Sequence, residues 1–137
     1  MTTGSYTFSI TLTTQDPAFA NLCQTYNQLR WSVSGSSVDS AAGTIQAKAW
    51  NPTAFNTHWY VSSAYYNPGP SFDVNSAWVG GYAKYFNYDF LKPDVATYVE
   101  HWDNLWGYPD GSTRYSYRYT YSGEASSLLH TLVGTGP

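Results

Sequence analysis

The chain has 137 residues, with six Lys and Arg against nine Asp and Glu, a net charge of −3 and an 11% charged fraction. That length fits one domain around one core, and so little charge beside 14 Tyr and 6 Trp excludes a disordered chain. No basic run of the kind that neutralises phosphates occurs, which argues against nucleic acid, and no apolar stretch nears the roughly 20 residues that span a bilayer as a helix.

Residues 1–9 show no charged n-region leading into an apolar h-region. The expected location is therefore the cytosol, or outside the cell by a route without a leader. Tyr6, Phe8, Ile10 and Leu12 alternate with Thr7, Ser9, Thr11 and Thr13, which predicts a half-buried strand. Asp16 as a cap and Pro17 as a first-turn residue then predict a short helix, with Phe19, Leu22, Cys23 and Tyr26 at helical spacing. Cys23 is the single cysteine, so it forms no internal disulfide, and its place in that pattern reads as core packing.

From Leu29 the period returns to two through Trp31 and Val33, and the small polar run 34–42 is expected to end that strand. Residues 43–50 and 58–66 read as further strands, parted by the breaker Asn51-Pro52. The Asn67-Pro68-Gly69-Pro70 segment is the strongest turn signal, and Gly80-Gly81 reads as a bend between strands at 72–79 and 82–88. Residues 93–106 read two ways. Val95, Tyr98, Val99, Trp102, Leu105 and Trp106 fall at helical spacing between Pro93 and Gly107, which is the preferred reading; as a strand, Val95, Thr97, Val99 and His101 also alternate. Beyond the turn at 108–111, Tyr115, Tyr117, Tyr119 and Tyr121 alternate with Arg114, Ser116, Arg118 and Thr120, and a last strand is predicted over 125–133 with a loose tail after it. The predicted fold is mainly β: a single antiparallel sandwich or barrel-like domain with one or two short helices.

His58, His101 and His130 match no metal-ligand spacing, no Gly-x-Ser-x-Gly elbow occurs, and no pair of carboxylates is singled out among Glu100, Asp103 and Glu124. No catalytic residue, metal or cofactor is therefore predicted. The densest polar-aromatic cluster is His101, Trp102, Asp103, Asn104, Trp106, Tyr108, Asp110 and Arg114. Carboxylates and amides pair with vicinal hydroxyls, a guanidinium offers a planar fork of donors, and an indole stacks on the apolar face of a sugar. A second cluster combines Trp78, Tyr85, Asn87 and Asp89 with Tyr82, Lys84 and Tyr88, whose alternation would divide it between a core face and a ligand or subunit face. His58, Trp59 and Tyr60 beside Tyr65, Tyr66 and Asn67 read as ordinary strand packing. Arg114 and Arg118 interleaved with tyrosines admit base stacking, but the simpler reading is a solvated strand face.

The opening Ser5-Tyr6-Thr7-Phe8-Ser9-Ile10-Thr11-Leu12 is similar to the Ser-Tyr-x-Ile-x-Leu first strand of the actinoporin-like lectins of mushroom fruiting bodies. The remainder lacks a counterpart of that family's central Gly-Ser-Gly-Thr-Ser-Gly loop, so no binding residue is carried over. The resemblance to small fruiting-body lectins implies a cytoplasmic oligomer with several glycan sites and a role in fungal defence. The functional expectation is a lectin for neutral glycans or glycoproteins, acting as a homo-oligomer. The alternatives are a pore-forming or membrane-surface cytolysin, whose interfacial anchors would be Tyr and Trp, and a small hydrolase or cyclase-like enzyme with a cavity lined by them.

Overall fold

In the computed structural model, residues 3–50, 59–88, 96–123 and 126–137 are described. Among these the fold is antiparallel β throughout, and the only helical element is one 3₁₀ turn at Ser126–Leu128. Strands β1 (Thr3–Gln15), β2 (Asn21–Ser34), β3 (Ser37–Ala49) and β9 (His130–Gly136) form one sheet, in the order β3-β2-β1-β9. Strands β4 (Trp59–Tyr66), β6 (Ala77–Tyr88), β7 (Ala96–Gly107) and β8 (Thr113–Gly123) form the other, in the order β4-β6-β7-β8, and the two-residue β5 (Ser71–Phe72) pairs with β6. The two sheets pack face to face as the mainly β sandwich that the sequence predicts.

The expected helix after Asp16 is absent. Asp16 Oδ1 accepts from the Ala18 and Ala20 amides at 2.8 and 3.0 Å, so the residue caps a tight turn through Phe19, whose φ is 63°, and β2 starts at Asn21. The same side-chain-to-amide bond serves a helix N-terminus and a turn, which is why Asp-Pro does not distinguish them. Downstream, Cys23, Thr25, Asn27, Leu29, Trp31 and Val33 all point inward at period two. The polar run at 34–42 makes only a short turn before β3 begins at Ser37.

Over 96–107 the helical reading is overturned as well. Thr97, Val99, His101, Asp103, Leu105 and Gly107 are buried in strict alternation with half-buried Tyr98, Glu100, Trp102, Asn104 and Trp106. Large side chains occupy both faces of this strand, and β6 and β8 bind it on either side. Pro93 and Val95 lie outside the described residues, as do His58, Asn51, Pro52 and Glu124. Gly80 and Gly81 form no bend but lie within β6, paired with Asn104 and Asp103. The chain turns instead at 73–76, where Asp73 Oδ1 accepts from the Asn75 and Ser76 amides. The predicted last strand is displaced: it runs from His130 to Gly136, so the expected tail pairs with β1.

The core divides into two apolar clusters. One gathers Ile10, Leu12, Leu29, Trp31, Val79 and Leu105, and the other Leu22, Cys23, Trp59, Ala83, Tyr85 and Val99. Between them runs a polar seam contributed by four strands: Thr14 from β1, Thr25 and Asn27 from β2, Gly81 from β6, and His101 and Asp103 from β7. Cys23 is fully buried, as its core reading requires, and burial pushes its thiol well above the ordinary range.

Candidate functional site

The pleat of β6, β7 and β8 decides where each candidate residue points, because partners across an antiparallel ladder share a face. Trp78, Trp106 and Arg114 form one row across the outward face, Gly80, Asn104 and Ser116 the next, and Tyr82, Trp102 and Arg118 a third. Tyr65 of β4 extends the third row beside Tyr82. Five of the sequence candidates, Trp78, Trp102, Asn104, Trp106 and Arg114, therefore stand together on one face of the sandwich.

The indoles on this face are not bare. The Arg118 guanidinium lies 4.0 Å from the Trp102 ring centroid, and that of Arg114 lies 4.6 Å from the ring of Trp106. Tyr82 leans against Trp102 at 5.3 Å and donates its hydroxyl to Glu100 Oε2 at 2.6 Å. A guanidinium over each ring covers part of the indole face and brings its N–H donors alongside. Between the two arginine-capped indoles lies the row of Asn104 and Ser116, carrying an amide and a hydroxyl. Such a surface offers donors and acceptors flanked by flat apolar walls, which suits a ligand bearing both hydroxyls and C–H faces.

Four other candidates face the interior. Tyr85, Asn87, His101 and Asp103 are at most 1% exposed, on the inward side of the same strands, so they do not belong to the outward face. His101 and Asp103 neighbour Trp102 and Trp106 in sequence, and the strand period puts them on the opposite face. Thr14 and Thr25 hydroxyls flank the His101 ring nitrogens at 2.7 and 2.8 Å, and the Tyr85 hydroxyl bonds Thr25 and donates to the Gln24 carbonyl. Burial pushes His101 down to about 3, which keeps it neutral. Burial also pushes the Asp103 carboxyl up to about 6, against hydrogen bonds from Asn27 and the Gly81 backbone that favour its ionised form. Asn27 Nδ2 donates to Asp103 Oδ1 at 2.5 Å, whereas Asn27 Oδ1 and Asp103 Oδ2 have no hydrogen-bond partner among the described residues. Both titratable groups are thus sealed on the inward face of the sheet.

Tyr108 and Asp110 shape the β7–β8 turn. The Tyr108 carbonyl accepts from Trp31 Nε1 at 3.0 Å, and Asp110 Oδ1 accepts from the Ser112 amide and hydroxyl, which hold its carboxyl below the usual range. Asp89 lies outside the described residues. Among the described residues no group of three His, Cys, Asp or Glu is gathered for a metal ion, and no helix is long and apolar enough to cross a membrane.

Two features escaped the sequence reading. Tyr115, Tyr117 and Tyr119 point to the inward side of β8, yet are 46, 46 and 37% exposed, because β8 ends its sheet. Their rings follow one another at 6.4 and 6.3 Å, nearly parallel. Only the edge position, which no local pattern encodes, turns this inward row into surface. The pleat puts these rings on the face opposite Arg114 and Arg118. Asp39 is the second: it accepts hydrogen bonds from Ser32 and Ser34, which hold its carboxyl low, beside a shallow depression of about 310 Å³ lined by Thr3, Ser5, Ser32 and Ser34. Compared with known protein families, curated proteins and solved structures, the chain gives no match.

Proposed function

We propose that the protein is a non-enzymatic lectin that binds neutral glycans on the outward face of β6, β7 and β8, gaining avidity by oligomerisation. The observation that carries this reading is the convergence of Trp78, Trp102 and Trp106 with Asn104, Arg114 and Arg118 on one solvent-facing surface. Rings supply the apolar contact, and the amide and guanidinium forks supply directional bonds to hydroxyls. The low total charge of the chain fits an uncharged partner better than an ionic one. The similarity of residues 5–12 to the first strand of fruiting-body lectins points the same way.

A broad glycan array tests the proposal. Binding to a defined set of neutral glycans is expected, with release by free sugar. Asn104→Ala is expected to lower that affinity about tenfold, the consequence of removing one or two hydrogen bonds to the ligand, with no change in thermal stability. A blank array would reject the reading. Dye release from liposomes lacking glycolipid would favour a membrane-active protein instead, since interfacial Tyr and Trp also suit a lipid surface.

A further inference from the structure

Among the described residues, strand β8 is an unguarded edge. It pairs with β7 from Thr113 to Gly123 without a register shift, it contains neither proline nor lysine, and nearly every residue in it is exposed. Other edges of the sandwich are interrupted: the β2–β3 ladder is bulged between Ser32 and Val33, the β4–β6 ladder between Val61 and Ser63, and β9 has only seven residues. Proteins ordinarily discourage strand addition with bulges, short edges or outward charges. The two charges of β8 do not serve here, because Arg114 and Arg118 are drawn back over Trp106 and Trp102.

We propose that β8 pairs antiparallel with β8 of a second copy of this chain, with Tyr117 on the two-fold axis. A two-fold normal to the sheet keeps inward residues opposite inward residues, so each register is defined by the residue at its centre. Centring on Tyr117 sets Tyr115 opposite Tyr119 and Tyr117 opposite itself, with Arg118 opposite Ser116 and Arg114 opposite Thr120. Aromatic pairs are favourable in such positions and like charges are not. Centring on Arg118 would oppose two guanidinium groups, centring on Ser116 would set Arg114 against Arg118, and centring on Tyr119 would leave Tyr115 opposite Gly123, whose φ of 90° ends the strand. The Tyr117 register alone matches the three exposed rings with one another. Already more than half-buried, the six rings remove on the order of 600 Å² in total from water, and the backbone hydrogen bonds of the new ladder supply the rest of the contact.

The dimer specifies the oligomer on which the glycan reading draws, and its failure is distinguishable from that of the sugar site, since it is measured with no sugar present. Light scattering on the full chain is expected to give the dimer mass. Tyr117→Lys, which sets two ammonium groups across the axis at an exposed position, is expected to weaken association at least tenfold with unchanged circular dichroism. The register has its own readout. Cα atoms of an antiparallel pair stand about 4.5–5.5 Å apart, within disulfide reach. Tyr117→Cys is expected to cross-link with itself on oxidation, whereas Tyr115→Cys and Tyr119→Cys cross-link only when mixed. A monomeric native chain, a dimer indifferent to Tyr117→Lys, or self-cross-linking by Tyr119→Cys as complete as that of Tyr117→Cys would each overturn the proposal. Cys23, being buried, does not compete.

Discussion

His101 and Asp103 stand two residues apart on the inward face of β7, and burial moves them in opposite directions, to about 3 and to about 6. Ordinary values are 6.5 and 3.8. For the imidazole, only the unfolded chain takes up a proton as the pH falls below 6.5, so its contribution to stability is lost progressively between there and about pH 3. The carboxyl works in reverse, because the fold favours its protonated form: the destabilisation is absent below its unfolded value and grows as the pH rises through about 6. Between about pH 4 and 6 the two slopes each approach roughly 1.4 kcal/mol per pH unit with opposite sign. They nearly cancel in the native chain. Asp103→Asn is expected to leave the histidine slope alone, giving a melting temperature that falls on acidification through this window. His101→Gln is expected to leave the aspartate slope, giving one that rises. Exposed carboxylates contribute the same background to all three proteins, so differences between their thermal melts carry the test; three superimposable pH profiles would show that neither group is held as described.

At the level of elements, strands whose two faces differ in polarity were legible and those with large side chains on both faces were not. Tyr6, Phe8, Ile10 and Leu12 pack toward the core in a strand, as their contrast with the intervening hydroxyls predicts, and the alternation of β8 likewise marks a strand. In β7 the outward residues are as bulky as the inward ones, so a helical stripe could be drawn through Tyr98, Trp102 and Trp106, and the neighbours that decide the matter belong to distant segments. The candidate cluster inherited this ambiguity: Trp102, Asn104 and Trp106 share the outward face of β7, and His101 and Asp103 the inward one. Glycines were legible as breakers but not as packing devices. A Cβ at Gly107 would fall 2.6 Å from Trp31 Cδ2, under a ring fixed by its bond to the Tyr108 carbonyl. Gly107→Ala is therefore expected to cost about 1–3 kcal/mol in urea denaturation, the usual range for overpacking. Gly134 meets nothing within 4 Å, and Gly134→Ala in β9 is expected to change stability by less than about 0.5 kcal/mol. Equal costs at both sites would mean that strand propensity, and not the approach of Trp31, governs Gly107.

Across the whole molecule, the two proposals meet in one geometry. A two-fold normal to the β4-β6-β7-β8 sheet leaves the outward faces of both copies on the same side, so joining β8 to β8 makes a single surface carrying two sets of Trp78, Trp102, Trp106, Asn104, Arg114 and Arg118. Shallow sugar sites are weak one at a time, and linking two of them rigidly makes the second binding event intramolecular, a gain of roughly 10²–10⁴ when both can engage. A receptor array that presents glycans in a plane meets both sites at once, whereas a free sugar meets one. Tyr117→Lys is accordingly expected to lose most of its retention on a dense glycan surface while its affinity for free sugar in solution stays as in the native chain. Surface plasmon resonance at high and low glycan density, set beside calorimetry with the soluble sugar, separates the two quantities. Loss of solution affinity as well would place Tyr117 within the sugar site itself, and full retention on the dense surface would mean that valency does not arise at this edge.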